Sequence, residues 1–555
     1  MSFRVARQAR AALALVVLCG VSVGWPLSTT RAAVGRGIVQ GGMVTVAEVG
    51  APDTLNPLFS QSSATSADVT SAVFDSLLRV TLRGTLGPDL ATGYDRSPDG
   101  LHWTFMLRHN VTWHDGAPFT ARDVVYTARL ANAGVGAAVT LGFDHIRSIQ
   151  ALGDDRVVVT LISPYAPFLS YYATAPVVPE HVLGPLPLKG VRTYSAFNRR
   201  PIGTGPFAVS AYNADRGVTL TANPTYFGGK PRLDGITFRF LSSGAVALHA
   251  IADGSADVVG PSINMSPGQF VALQQRGGLH TFAAAGAEWS HLDLVQSGFL
   301  VDKAVRRALA YATPKAELVR TVLLGLGDVA DADQPPHTRY YNPAVRNSYP
   351  FSIATARRLL VADGFRLGRD GFFAKNGRPL AITLWGDSAS PDVRLTLRLI
   401  QHRWQQAGVA ATVSLVDQET LFGQAGPLYN PNRFTSTGMN AVYFEWINGF
   451  EPEDSYFWQS SQIVTPQHPA GGNYVGYSNP LVDALTAQAA HASDDATRVK
   501  LYNRIQQLLA QDQPVIFLAW HRVLTVTAGR MHGYVPNPYM PQVAWNAQDW
   551  YLVSP

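Results

Sequence analysis

The chain has 555 residues, of which 46% are hydrophobic, 10% aromatic and only 15% charged, so it holds enough apolar material for several folded cores. The charged fraction lies below the roughly 25% that is usual for soluble domains, which argues against a nucleic-acid-binding protein. The formal net charge of +5 does not reverse that conclusion, because the basic excess belongs mainly to the first 32 residues.

The N-terminal segment has the layout of a secretory signal peptide. Arg4, Arg7 and Arg10 precede an apolar run over 11–23, and small residues follow it. Removal of residues 1–32 takes away four arginines and no acid, which leaves 40 basic against 39 acidic residues. A membrane anchor is the alternative, since about 17–25 apolar residues can span a bilayer. Gly20, Gly24 and Pro26 weaken such a helix over residues 11–27, so we favour cleavage.

The single cysteine, Cys19, lies inside this segment. Leu18 precedes it, whereas a lipid-anchoring cysteine normally follows a small residue, so we expect no lipid anchor. The exported chain would then contain no cysteine, which excludes disulfides, a thiol nucleophile and thiolate metal sites. We expect a soluble protein of the periplasm or the cell exterior.

Capping residues predict several helices along the chain. Thr120 and Asp123 have the spacing of a capping box, and short alternating strands flank that helix within 101–160. Residues 379–416 predict strand, helix and strand in turn, which is a βαβ unit and favours a parallel sheet covered by helices. The second half of the chain is therefore α/β and the first half more mixed. Other helices are predicted to start near Asp302, Pro314, Ser352 and Ser493.

Two clusters of reactive side chains are explained better by structure than by chemistry. Three histidines within 102–114 suggest a metal site, but their spacing matches neither one strand face nor one helix face. Ser290, His291 and Asp293 suggest a hydrolase triad, but the chain has no G-x-S-x-G elbow. We therefore predict surface and packing roles for both groups.

Residues 443–454, YFEWINGFEPED, place four aromatic rings and four carboxylates within twelve positions. Glu451 and Glu453 could be a glycosidase pair, but closeness in sequence does not make two carboxylates face each other across a sugar. A solvated acidic turn is the simpler interpretation. The aromatic residues continue to Trp458 and are too many for one buried strand face, so some are expected to line a concave surface. A secreted glycoside hydrolase that uses Glu445, Glu451 or Glu453 remains the alternative of another class.

Several stretches, in order from about residue 43 to 540, resemble the family 5 extracellular solute-binding proteins, which serve peptide, nickel and related ABC importers. The resemblance is carried by TLNPLFSQSSATSADVTSAVFDSLL at 54–78, GPDLATGYDRSPDGLHWTFMLRHNVTWHDGAPFTARDVVYTARL at 87–130, NPTYFGGKP at 223–231 and NYVGYSNPLVDALTAQA at 473–489. Each motif alone is loose, but their shared order makes the family assignment strong.

The resemblance implies an α/β, two-lobed periplasmic-binding-protein-like fold with an additional inserted subdomain in the first lobe. Lobes of such proteins close about a hinge on their ligand. The implied segments are the signal peptide at 1–32, lobe I at 34–75, 195–285 and 515–555, the inserted subdomain at 76–194, and lobe II at 286–514.

The implied function is that of the substrate-binding component of an ABC importer, which captures a peptide or peptide-like solute and delivers it to a membrane permease. Such a protein is not an enzyme, needs no cofactor, binds no nucleic acid and is expected to be a monomer. An oligosaccharide or a metal chelate is the alternative ligand within the same class.

The resemblance places one cleft wall at YFEWINGFEPED. Trp446 and Glu451 match the flanks of the family pattern, but the acid that binds a peptide ammonium falls on Asn448 or Gly449, and neither is an acid. The usual ammonium clamp is therefore predicted to be missing. The ligand-binding residues expected on this wall are Tyr443, Glu445, Trp446, Asn448 and Gly449.

The opposite wall is implied at Gln61, Ser62 and Ser63, where relatives pair backbone groups with a bound peptide as an added strand. Trp289, near a predicted crossover between the lobes, is a weaker candidate for the same cleft.

Overall fold

The computed structural model describes residues 37–59, 63–136, 142–422, 441–465, 467–468, 471–492 and 494–554. The predicted signal peptide and two residues of the predicted cleft wall, Gln61 and Ser62, lie outside these ranges. Residues 38–555 form one compact unit, and the predicted lobe boundaries inside it stay predictions. Within the described ranges, no helix combines the length and the apolar character needed to cross a membrane.

The strands, in chain order, are β1 (Ile38–Val39), β2 (Met43–Val49), β3 (Leu78–Val80), β4 (Leu86–Pro88), β5 (Ala91–Arg96), β6 (His102–Leu107), β7 (Ile146–Ala151), β8 (Arg156–Leu161), β9 (Phe207–Asn213), β10 (Gly217–Ala222), β11 (Gly235–Leu241), β12 (Val258–Val259), β13 (Leu279–Leu294), β14 (Gly327–Val329), β15 (Arg366–Leu367), β16 (Phe373–Lys375), β17 (Arg378–Pro379), β18 (Ala381–Asp387), β19 (Ala410–Val416), β20 (Ala441–Ile447), β21 (Val515–Ala528), β22 (Met531–His532) and β23 (Tyr551–Val553).

The α-helices are α1 (Ala64–Ser71), α2 (Ala121–Asn132), α3 (Phe168–Tyr172), α4 (Glu180–Leu183), α5 (Leu188–Thr193), α6 (Ser195–Arg199), α7 (Gly244–Ala252), α8 (Pro267–Gln274), α9 (Lys303–Ala312), α10 (Lys315–Thr321), α11 (Ile353–Ala362), α12 (Pro391–Gln406), α13 (Gln418–Phe422), α14 (Ser455–Trp458), α15 (Pro480–His491) and α16 (Asp495–Asp512).

Local capping chemistry starts the helices where the sequence predicts it. The Thr120 hydroxyl caps α2 and Asp123 completes a capping box. Asp302 caps α9 through the N–H of Ala304, and Ser352 caps α11. The last long helix, α16, begins at Asp495, two residues after the predicted start, because Asp494 supplies its cap.

An eleven-stranded mixed sheet connects the two halves of the molecule. Its order is β19-β18-β20-β13-β21-β12-β2-β11-β10-β9, with β14 paired to the side of β21. The predicted βαβ unit is confirmed, because β18 and β19 are parallel neighbours and α12 crosses between them. The predicted α/β character of the second half follows from this unit.

The long strands β13 and β21 cross from one half of the sheet to the other. Near one end they pair Leu279 with Ala528, beside β12, and near the other they pair Asp293 with Val515, beside β20. Buried apolar residues form separate clusters on the two sides of this crossover, one around β2, β6 and α2 and others within 289–520. The crossover is therefore the narrow connection at which a hinge would act.

A four-stranded antiparallel sheet, ordered β5-β6-β8-β7, forms a separate layer in the first half. The predicted strand pair around α2 is confirmed by the register of β6 on β8, which sets Trp103 opposite Val159. Next to this layer, the Ala166 N–H donates to the Ala490 carbonyl at 2.7 Å, and His491 Nδ1 lies 2.7 Å from the Pro164 carbonyl. These contacts join the layer to the C-terminal end of α15.

Candidate functional site

Strand β20 carries the first half of the aromatic and acidic stretch that the sequence singles out. It alternates as AVYFEWI and pairs antiparallel with β13, which sets Ser290 opposite Glu445 and Trp289 opposite Trp446. Because neighbouring residues of a strand point to opposite faces, Tyr443 and Glu445 share one face and Trp446 lies on the other. The two faces have different chemistry.

The aromatic face is packed. The rings of Trp446 and Phe457 lie 4.5 Å apart, and those of Phe444 and Trp446 lie 5.1 Å apart. Trp289 is only 1% exposed and stacks on His291 at 4.2 Å. The cavity left among these rings is about 20 Å³, which is room for one water molecule and not for a solute. These aromatic residues belong mainly to a core.

Asn448, a predicted ligand-binding residue, is already engaged by its neighbours. Its Oδ1 accepts a hydrogen bond from Trp289 Nε1 at 2.8 Å, and its Nδ2 donates to the Asp333 carbonyl. Its backbone N–H donates to the Ala287 carbonyl at 2.9 Å, while Gly449 beyond it is exposed. The Asn448 amide therefore holds the end of β20 against the crossover strand.

The opposite face gathers carboxylates around Glu445. Tyr443 donates its hydroxyl to Glu445 Oε1 at 2.7 Å, and His521 Nε2 on β21 lies 3.8 Å from the same oxygen. Burial raises the pKa of Glu288 on β13, and the Glu445 charge raises it further. Burial also raises the pKa of Asp392, which His521 lowers and Glu445 raises. We call Glu288, Asp392, Glu445 and His521 the carboxylate face.

This face has more negative than positive groups. Glu288, Asp392 and Glu445 are three carboxylates, and the basic group that acts on them among the described residues is the imidazole of His521. The Nε2 atom of His521 is buried and makes no hydrogen bond to any described residue. Glu445 itself is 40% exposed, so an incoming group can reach its carboxylate. The arrangement suits a cationic group of a ligand.

Two further acids of the stretch, Glu451 and Asp454, are structural, whereas Glu453 is half-buried. Glu451 is buried and pairs with Arg498 and with the Tyr340 hydroxyl. Asp454 is buried and accepts both hydrogen bonds of Gln334 Nε2, at 3.0 and 3.3 Å. Neither carboxylate is left facing an open surface, which argues against the pair that a glycosidase would need.

The Ser290, His291 and Asp293 cluster shows no triad geometry. His291 Nε2 lies 3.2 Å from Asp293 Oδ1, and both residues are buried on the aromatic face. Ser290 points to the other face of β13, and its hydroxyl donates to the Ala519 carbonyl. Nucleophile and base are therefore on opposite sides of the strand, and the packing role predicted for them fits this arrangement.

Ser63, on the opposite predicted wall, is the N-cap of α1. Its backbone is extended and its hydroxyl accepts from the Ser66 N–H at 3.3 Å. Sequence reasoning missed Glu288, Asp392 and His521. The local signal for Glu288 and His521 is strand alternation, because Glu288 precedes Trp289 and His521 follows Trp520 on strands whose mutual register the sequence does not reveal. Asp392 lies in the first turn of α12, where an acid is ordinary and gives no signal of a site.

The sequence matches the family model described as "Bacterial extracellular solute-binding proteins, family 5 Middle" over residues 85–463. The chain belongs to this family. The oligopeptide-binding protein AppA of Bacillus subtilis is 25% identical to this solute-binding protein over 93% of this chain and 92% of its own length. The match confirms the family predicted from the sequence motifs.

Two solved structures share the fold of the solute-binding protein. NikZ from Campylobacter jejuni in complex with Ni(L-His) has a TM-score of 0.75 at 24% identity, covering 92% of this chain and 100% of its own. AppA from Bacillus subtilis in complex with a nonapeptide has a TM-score of 0.72 at 24% identity, covering 93% and 100%. The predicted α/β, two-lobed fold is therefore confirmed, and the individual ligand contacts stay predictions.

Proposed function

We propose that this protein captures a peptide-like solute between its two lobes, outside the cytoplasm, and delivers it to the permease of an ABC importer. The family match over 85–463 carries this proposal. The relative AppA is named an oligopeptide-binding protein, which favours a peptide over other solutes. Cleavage after residue 32 would release the protein to that compartment as a monomer.

The carboxylate face is the proposed contact for a positive group of the solute. Asn448 and Gly449, which stand where relatives carry the acid that binds a peptide ammonium, offer no charge. The Asn448 amide is also hydrogen-bonded to Trp289 and Asp333. Glu445 is the nearest carboxylate on the same strand, is partly exposed and has Glu288 on the neighbouring strand to reinforce its field. A ligand ammonium would replace solvent as the counter-charge of these groups.

Tyr443 positions Glu445 for this contact. Its hydroxyl bond to Glu445 Oε1 holds one carboxylate oxygen and leaves Oε2 for the ligand. Tyr443 is itself buried, with its ring in the core beside β13. Because the support is rigid, the carboxylate loses little freedom on binding, which favours affinity.

Calorimetric titration with a matched pair of peptides tests this proposal. The probes are Ala-Lys-Ala and the same peptide with both amino groups acetylated. We expect the charged peptide to bind at least tenfold more tightly, about 1.4 kcal/mol. Glu445→Gln is expected to remove most of that difference, because it keeps the shape and deletes the charge.

The control variant is Glu419→Gln, which removes an exposed carboxylate of α13. It is expected to keep the wild-type preference. Equal affinity of wild type for both peptides, or an unchanged preference in Glu445→Gln, would contradict the assigned role of the carboxylate face. A failure of both peptides to bind would instead count against the peptide class itself.

A further inference from the structure

A second cavity lies beside the crossover strands, in the half of the molecule that contains β18, β19 and β20. Its volume is about 620 Å³, which is within the roughly 300–1,000 Å³ of small-molecule sites. Its lining includes Ala285 and Arg522, which pair across β13 and β21, and shares no residue with the carboxylate face.

Strand alternation separates the two sites. On β21, Arg522 lines the cavity while the preceding residue, His521, belongs to the carboxylate face. Because successive side chains of a strand point to opposite faces, the cavity lies on the other side of the crossover strands. A molecule bound there would contact the hinge strands without occupying the proposed peptide site.

The charges of this cavity favour an anion. Lys315, Arg346 and Arg522 line it against only two carboxylates, Asp328 and Asp331. Both carboxylates are engaged from within the protein, since Asp331 accepts from Lys315 and from the Asn347 N–H, and Asp328 contacts Arg522 Nη2 at 2.9 and 3.0 Å. They are therefore poor partners for an incoming cation.

Arg346 is the cation of this cavity whose N–H donors can bind a ligand. Its guanidinium lies over the ring of Tyr341, 5.8 Å from the ring centroid. The Arg346 side chain hydrogen-bonds Tyr341, and Asp331 acts on it only as a weaker charge effect, so the guanidinium keeps donors that no described carboxylate holds directly. A planar guanidinium with five N–H donors matches a carboxylate in a two-pronged hydrogen bond.

The remaining wall is aromatic. Tyr341, Tyr349 and Phe351 line the cavity, and the Tyr349 hydroxyl is already used by the Ala510 carbonyl at 2.6 Å. Burial and the Arg522 charge lower the pKa of His337, so its imidazole is neutral at pH 7 and can serve as a hydrogen-bond partner. The wall therefore offers ring faces and neutral polar groups beside the excess of cations.

We propose that this cavity binds a small organic anion with an aromatic ring, its carboxylate held by Arg346 and its ring packed against Tyr341, Tyr349 and Phe351. This site is independent of the proposed peptide function. Because its lining includes the paired residues Ala285 and Arg522, an occupant would touch both strands that join the two lobes.

The test uses 2-naphthoate and 2-naphthamide, which share one ring system and differ in charge. Calorimetric titration is expected to show at least tenfold tighter binding of the naphthoate to the wild-type protein. Arg346→Gln should weaken naphthoate binding at least tenfold, and Ala316→Phe should abolish it by filling the cavity. Arg504→Gln, an exposed change on α16, is the matched control and should leave it unchanged.

Equal binding of the two probes would overturn the proposal, as would naphthoate affinity that survives both Arg346→Gln and Ala316→Phe. Tighter naphthoate binding in Glu445→Gln, with no loss in Arg346→Gln, would place the anion in the peptide site and also contradict it. Far-ultraviolet circular dichroism of each variant checks that the fold is retained. If Ala316→Phe does not fold, the naphthoate affinity of Arg346→Gln, a change at the exposed rim of the cavity, decides the test.

Discussion

Replacing Arg498 with methionine is expected to lower the free energy of unfolding by about 3–5 kcal/mol, because it leaves a buried carboxylate without its main counter-charge. The Arg498 side chain is 3% exposed, and its Nη1 contacts Glu451 and the Tyr340 hydroxyl. Nη2 donates to the Pro452 carbonyl at 3.2 Å, and Nε donates to the Ala489 carbonyl at 3.1 Å. Methionine keeps the apolar stem and removes every donor.

Urea unfolding of Arg498→Met and of the control Arg504→Met measures this effect. Arg504 lies on the same helix but is exposed, so its replacement should change the free energy by no more than about 0.5 kcal/mol. Among the described residues, Glu451 in Arg498→Met retains the Tyr340 hydroxyl and the half-exposed Arg339. A loss below about 1 kcal/mol for Arg498→Met would show that these two partners suffice and that the ion pair is not a major support.

The protein is expected to become less stable between pH 5 and pH 8, because the pKa values of three pairs of buried carboxyl groups are raised in the folded state. Burial raises the pKa of Asp68 to about 7, of Asp75 to about 6 and of Asp333 to about 6. Their partners, Glu48, Asp89 and Asp454, have pKa values raised first by burial and then by the charge of the neighbouring carboxyl.

The sign follows from linkage. A carboxyl whose folded pKa exceeds its unfolded value binds its proton more tightly in the folded state, so its contribution to stability is complete below about pH 4. That contribution is lost as the pH rises through about 6 to 7. At about 1.4 kcal/mol per pKa unit, the three pairs together should lower the free energy of unfolding by at least about 3 kcal/mol from pH 5 to pH 8.

Glu48→Gln isolates one pair. The Glu48 carboxyl shares a hydrogen bond with Asp68 and accepts from the Ser262 hydroxyl at 2.9 Å, and glutamine can reproduce the neutral form without titrating. We expect this variant to be more stable than wild type at pH 8 and to show a shallower fall from pH 5. Glu419→Gln, on the surface, should follow the wild-type curve. Flat or rising wild-type stability over this range would contradict the raised pKa values of the buried pairs.

Local chemistry explains how much of the fold the sequence predicts. Three helices are capped by side chains that contact the backbone within three residues: Thr120 with Asp123, Asp302, and Ser352. Because these contacts are local, the sequence alone predicts them. The βαβ unit over 381–416 can likewise be predicted from the sequence, because its alternating strands and its helix follow one another without interruption. The family motifs add the two-lobed arrangement, which composition and periodicity do not contain.

The candidate site depends on contacts that local patterns cannot supply. Glu445 meets Ser290 and His521 only through the register of β13 on both β20 and β21, and that register shifts at irregularities near Trp289. In the sequence YFEWINGFEPED is one acidic and aromatic unit, yet three of its four acids lie in different surroundings: Glu445 on the carboxylate face, Glu451 beside Arg498 and Asp454 beside Gln334. Tertiary pairing therefore decides which acid can meet a ligand.

Native mass spectrometry of the purified protein in an equimolar mixture of Ala-Lys-Ala, its doubly acetylated form and the Ni(L-histidine) complex tests the proposed function most directly. We expect a one-to-one complex with the charged peptide to dominate. Absence of any peptide complex, or dominance of the acetylated peptide or the nickel complex, would contradict the assignment of this family member to cationic, peptide-like solutes.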